Sequence, residues 1–194
     1  MRTADVEILI VLGHAISSPD HWQTRWQSRL KTARTMSQSG SSRLHLQSWT
    51  QQLHTAVATA EKPVILVAHS YGVPAIVHAA AKWHDDRIVG AFLVAPVSEA
   101  VAASRHDIDP EFTPYPRDPL PFPSLLVASR NDLQCAYNDA GDMALSWGST
   151  LVDAGDVGHI DAASGHGPWP EGAMRFGWFL KQLGSPKNPE STSG

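Results

Sequence analysis

The sequence predicts an α/β architecture: about six mostly parallel strands in one sheet, with helices on both faces. Three observations predict it. Short apolar runs alternate with longer amphipathic stretches, the pattern of repeated strand-helix units. The runs are near-continuous and β-branched or aliphatic, as in VEILIVL (Val6 to Leu12) and PVILVA (Pro63 to Ala68), so these strands are expected to be buried on both faces. The 194 residues suffice for one domain with a full core.

The elements follow in order. Val6 to Leu12 is the first strand and ends at Gly13. Asp20 to Ala33 is a helix with Trp22, Trp26, Arg29 and Leu30 at helical spacing; Ser18 caps it, with Pro19 at its first position. Arg43 to Trp49 alternates and reads as the second strand. Thr50 to Ala60 is a helix with Leu53 and Val57 inward. Pro63 to Ala68 is the third strand, Pro74 to His84 an Ala-rich helix, and Arg87 to Val94 the fourth strand. Ala95 to Pro121 holds six prolines, which break both strands and long helices. A loop beyond ~12–15 residues inside a compact domain is usually functional. This one reads as a rim or lid with one short helix near Ser98–Ser104. Pro123 to Ala128 is the fifth strand, Ala136 to Trp147 a helix stopped by Gly148, and Ser149 to Asp153 the last strand. Trp169 to Leu183 closes the fold as a helix with Met174, Trp178 and Leu183 inward. These elements make one domain over residues 1–184; residues 185–194, polar and rich in Pro, Gly and Ser, read as a flexible tail.

Composition narrows the function. Fifteen Lys and Arg against 19 Asp and Glu give a net charge of -4, with no basic cluster, which argues against nucleic acid and anionic membranes as partners. The single cysteine, Cys135, excludes an intrachain disulfide and fits a reducing compartment. No apolar run approaches the ~18 residues of a membrane span. The acidic start MRTADVE lacks the pattern of an export signal, so a cytoplasmic location is expected. No G-x-G-x-x-G or P-loop pattern points to a nucleotide, and no cofactor is expected.

In an open parallel sheet, ligands bind beyond the carboxyl ends of the strands. Those ends carry Gly13-His14-Ala15, His69-Ser70-Tyr71-Gly72, Arg130-Asn131-Asp132 and Gly158-His159. Ser70 stands in a strand, a one-residue turn and a helix, in the pattern A-x-S-x-G. Small residues two positions away on either side, Ala68 and Gly72, let such an elbow pass between strand and helix. The elbow also aims backbone N–H groups at the helix N-terminus toward an oxyanion. Tyr71 is one expected donor, and His14 or Ala15 supplies the second. His159, in a glycine-bearing loop, is the candidate general base, with His166 its rival. Asp132 is the candidate carboxylate that fixes the histidine tautomer; the plainer reading is an Asx turn or a helix cap. Asp139, Asp142, Asp153 and Asp156 are less well placed. His21, Trp22 and His69 are candidate pocket residues, although two tryptophans four apart also suit a core helix. His159, Asp161 and His166 lack the second carboxylate or His-x-His pair of a metal centre, so no metal is expected.

The chain order Ser70, Asp132, His159 is that of α/β-hydrolases. Several further motifs lie between Ile8 and Leu183: His21-Trp22 with Trp26, His69-Ser70-Tyr71-Gly72, Leu120-Pro121-Phe122-Pro123, Ser129-Arg130-Asn131-Asp132, Trp147-Gly148, and Gly158-His159-Ile160-Asp161-Ala162-Ala163-Ser164-Gly165. On these motifs the chain resembles the small serine hydrolases typified by retinoblastoma-binding protein nine and the bacterial YdeN proteins. It differs in having Leu133 where proline often follows the acid, Asp161 where asparagine is common, and fewer glycines in the first loop. The resemblance implies an α/β-hydrolase fold without a large cap domain. It also implies a nucleophile, acid and base at Ser70, Asp132 and His159. The expected activity is hydrolysis of a small or medium acyl ester, a small-molecule substrate, with amides less suited. The competing expectation is a protein-binding module on a hydrolase scaffold, since fold does not fix function.

Overall fold

The computed structural model describes residues 1–13, 18–36, 44–83 and 86–184. Six strands form one sheet: β1 (Glu7–Val11), β2 (Ala33–Thr35), β3 (Val64–Ser70), β4 (Ile88–Pro96), β5 (Ser124–Ala128) and β6 (Thr150–Asp153). Their order is β2-β1-β3-β4-β5-β6, and every neighbouring pair is parallel. From β1 the chain steps outward to β2, then returns across β1 to β3 and continues the other way. The order therefore reverses between β1 and β3, and a crevice opens there at their carboxyl ends.

The helices are α1 (Trp22–Arg29), α2 (Leu46–Ala58), α3 (Gly72–Ala80), α4 (Glu99–Ala103), α5 (Tyr137–Trp147) and α6 (Pro170–Gly184). Successive strand residues point to opposite faces, so the apolar runs feed two cores. Leu9, Val11, Leu66, Ala68, Leu93 and Leu126 pack with α2, α3 and α5. Ile8, Ile10, Ile65, Val67, Phe92, Val94 and Val127 pack with Trp22 and Trp26 of α1 and Phe176, Phe179 and Leu180 of α6. Burying each large aliphatic or aromatic side chain contributes roughly 1.5–3 kcal/mol. Among the described residues there is no large cap, and no helix is long and apolar enough to cross a membrane.

Three sequence expectations are corrected. The second strand is not Arg43 to Trp49. Leu46, Trp49, Leu53 and Val57 recur at helical spacing and line the inner side of α2, while Leu44 makes only an isolated bridge to Ile108. The true second strand is three half-buried residues at the sheet edge, where Arg34 pairs with Glu7 of β1 and with the Ala56 carbonyl. Helix α1 correspondingly stops at Arg29. In α6 the inner face is Gly172, Phe176, Phe179 and Leu180, with Leu183 packed against the core, so Met174 and Trp178 are left 69% and 50% exposed. Close packing selects that face, because the indole of Trp169 lies over Gly172 where any Cβ would collide with it. The short helix in the proline-rich stretch does form, as α4, with Ser98 as its cap through a bond from the Val101 amide. The segment read as a tail, 185–194, lies outside the described residues.

Candidate active site

The crevice holds the three side chains that the sequence singles out. Ser70 ends β3 and enters α3 with φ at 55°, a left-handed backbone that costs a non-glycine residue about 1–3 kcal/mol. The surroundings hold it there. A Cβ at Gly72 would meet the Val11 carbonyl oxygen at 2.6 Å, so only glycine lets α3 start this close to β1. At Gly13 the backbone also comes close to the serine, though less tightly, with a Cβ there reaching 3.1 Å from the Ser70 Cβ. Gln23, fully buried on α1, donates from its amide to the carbonyls of Val11 (3.2 Å) and Val67 (3.3 Å), tying the ends of β1 and β3 together. Nothing in its sequence context announced this role, since an isolated Gln on a helix usually faces water.

His159 reaches Ser70 from the loop after β6. Its Nε2 lies 3.0 Å from Ser70 Oγ, and its Nδ1–H donates to Asp132 at 2.9 Å (Oδ2) and 3.1 Å (Oδ1). Asp132 is buried, and its Oδ1 also accepts from the Gln134 amide at 2.8 Å. Both readings of that aspartate are therefore met at once: it closes an Asx turn and holds the imidazole. The two loops are cross-tied, because Asn131 Oδ1 accepts from the Gly158 amide at 2.7 Å and Ser129 Oγ from the Val157 amide at 3.1 Å.

The rivals are engaged elsewhere. His166 lies against Ser164 Oγ and edge-on to Trp169. Asp153 pairs with Arg130, while Asp139 and Asp142 lie on α5. Cys135 is buried, which pushes its thiol up to about 12 and keeps it protonated. Tyr71 occupies the N-cap of α3, and the N-terminus of a helix presents its backbone N–H groups toward an anion. His14 and Ala15 lie outside the described residues.

The three pocket candidates are all buried. Trp22 is a core residue with no solvent exposure, packed on Trp26 and Trp169, and its indole N–H donates to the Ile160 carbonyl at 2.9 Å. This is a correction of its pocket assignment in favour of the core reading. His69 stands beneath the base, its ring 4.8 Å from that of His159, and its Nε2–H donates to the His159 carbonyl at 2.8 Å. His21, edge-on to His69, caps α1 by accepting from the Gln23 amide at its Nδ1 (3.2 Å), displacing Ser18 from the expected role.

The electrostatics keep the two histidines beside the base uncharged. Burial holds His69 well below the ordinary histidine value, with His159 and His21 adding in the same direction. Burial likewise lowers His21, to about 4. Both are neutral at pH 7, so they do not oppose a positive charge developing on His159. Asp161, two residues on, stays below the usual carboxylate range; burial opposes this, and bonds from the Ser164 backbone and hydroxyl overcome it.

One stability consequence follows. Unfolded His21 takes up a proton near 6.5, whereas folded His21 resists until about 4. Protons therefore favour the unfolded chain in that window, and stability is complete above pH 6.5 and lost as pH falls. His21 accounts for roughly 2 kcal/mol of this, allowing for solvent screening, and His69 adds to it. His21→Asn retains a good cap and removes the titration. Urea unfolding at pH 7 and pH 4.5 is expected to show a smaller acid loss in the variant, by roughly 1–2 kcal/mol. Equal losses in both proteins would contradict the assignment.

Among the described residues, no group of three or more His, Cys, Asp or Glu is arranged to hold a metal ion. A family model described as serine hydrolase matches residues 8–178. No curated protein sequence matches the chain. A protein described as a YdeN-like hydrolase, from Pectobacterium atrosepticum, is 30% identical; the match covers 93% of this chain and 94% of that one, with a TM-score of 0.81. The ydeN gene product of B. subtilis is 21% identical, with 93% and 99% covered and a TM-score of 0.75. Est1E from Butyrivibrio proteoclasticus, solved with ferulic acid bound, shares the fold at 15% identity, 93% and 90% coverage and a TM-score of 0.69. The architecture is that of the α/β-hydrolases.

Proposed function

Because the chain belongs to the serine hydrolase family, we propose that it hydrolyses carboxylic esters of small or medium acyl groups through an acyl-Ser70 intermediate. The observation that carries this reading is the unbroken line from Asp132 through His159 to Ser70, with bonds of 2.9 Å and 3.0 Å, mounted on a strained elbow. His159 Nε2 takes the Ser70 proton as Oγ attacks the acyl carbon. Asp132 keeps the Nδ1–H tautomer in place and stabilises the imidazolium. The tetrahedral oxyanion is met by the amide of Tyr71, the first residue beyond the nucleophile; losing one such donor costs about 2.7–4 kcal/mol of barrier. His159 then gives its proton to the leaving alkoxide, and water repeats the sequence to release the acid. Esters suit this site better than amides because an alkoxide asks less of the general acid than an amine does. The absence of a large cap among the described residues favours a shorter acyl group over a long enclosed chain.

The test combines a fluorophosphonate probe with a panel of p-nitrophenyl esters of increasing chain length and matched anilides. Labelling at one equivalent, mapped to the peptide carrying Ser70, with turnover of short esters above anilides, is the expected result. Absence of labelling in the native protein would leave a hydrolase scaffold used for binding. Faster anilide turnover would move the substrate class to amides.

A further inference from the structure

We propose that His69 and Trp22 are positioning residues that clamp the loop of the general base. The inference rests on the proposed role of His159 and adds two residues that act through it. The backbone beyond His159 is strained: Ile160, a β-branched residue, has φ at 50°. Such a conformation persists only where its surroundings over-determine it. Here two ring N–H groups seize two successive carbonyls. The imidazole of His69 donates to the His159 carbonyl at 2.8 Å, and the indole of Trp22 donates to the Ile160 carbonyl at 2.9 Å.

The donors come from different parts of the fold. His69 is the residue before the nucleophile, on β3, and Trp22 opens α1. Both are buried, as is Ile160, so water is poorly placed to substitute for either donor. The first bond links the base loop to the nucleophile's own strand. A shift of His159 away from Ser70 must break it. The Asp132 bond holds the ring, and the two carbonyl bonds hold the backbone that carries it. Misplacing a catalytic group by about 1 Å can cost on the order of 10²-fold in rate.

Three variants test the clamp. His69→Ala removes the donor, His69→Gln returns an amide N–H at about the same reach, and Trp22→Phe keeps an aromatic ring without the N–H. With p-nitrophenyl acetate, His69→Ala is expected to lower kcat by roughly 10–100-fold with KM within about twofold, and His69→Gln to restore most of it. Trp22→Phe is expected to lower kcat by roughly 3–10-fold. Fluorophosphonate labelling should slow in step yet reach the same end-point, which separates misplacement from partial unfolding. Unchanged kcat in both His69→Ala and Trp22→Phe, or equal losses in His69→Ala and His69→Gln, would overturn the clamp. A readout independent of turnover is the low-field proton of the His159–Asp132 bond by NMR, expected to be retained in the native protein and His69→Gln and broadened in His69→Ala. If the native protein neither labels nor turns over, the ester reading fails; that proton then decides the clamp, and its persistence in His69→Ala overturns it.

Discussion

Alanine at Ser70 is expected to lower kcat for p-nitrophenyl acetate by about 10⁴–10⁶-fold, alanine at His159 by nearly the same factor, and the two together by no more than either alone. The reason is the shared proton. Ser70 Oγ is a weak nucleophile until His159 Nε2, 3.0 Å away, accepts its hydrogen, and His159 has no acylation to assist once the hydroxyl is gone. A small residual rate remains from the oxyanion donors and from substrate binding. Ser70→Ala also abolishes fluorophosphonate labelling. Losses that multiply in the double variant, or a fully labelled Ser70→Ala protein, would show that the attacking group lies elsewhere.

Asp132→Asn is expected to lower kcat by about 10⁴-fold while leaving the fold intact. Asparagine at 132 can still accept from the Gln134 amide, so the Asx turn survives. What fails is the tautomer. An amide N–H facing Nδ1 forces the imidazole to carry its hydrogen on Nε2, where Ser70 needs a lone pair. Circular dichroism and thermal unfolding close to those of the native protein, with kcat lost and KM little changed, would fit that account. A loss under tenfold would reduce Asp132 to a turn residue.

Much of this geometry was legible in the sequence for definite physical reasons. A strand buried on both faces reads as an unbroken apolar run, so β1, β3, β4 and β5 stood out. The elbow needs small residues at fixed offsets, so Ser70 was marked by Ala68 and Gly72. Asp132 and His159 were found because the carboxyl ends of a parallel sheet share one crevice. Strand β2 was hidden because an edge strand of Ala-Arg-Thr carries no apolar pattern. Helix α6 offered two apolar stripes, and only Trp169 packed on Gly172 chooses between them. The donors of Trp22, His69 and Gln23 were out of reach because each acts on a backbone carbonyl, and a carbonyl leaves no signature in residue order.

The seat of the serine is built from main-chain contacts, with Gly72 pressed on the Val11 carbonyl and Gly13 on the serine itself. The proline-bearing stretch between β4 and β5 packs through Val97, Phe112 and Tyr115 into the same core as α3. Because main-chain atoms form that seat, many neighbouring side chains can be exchanged over descent without unseating the reactive serine, whereas the two glycines tolerate the least change.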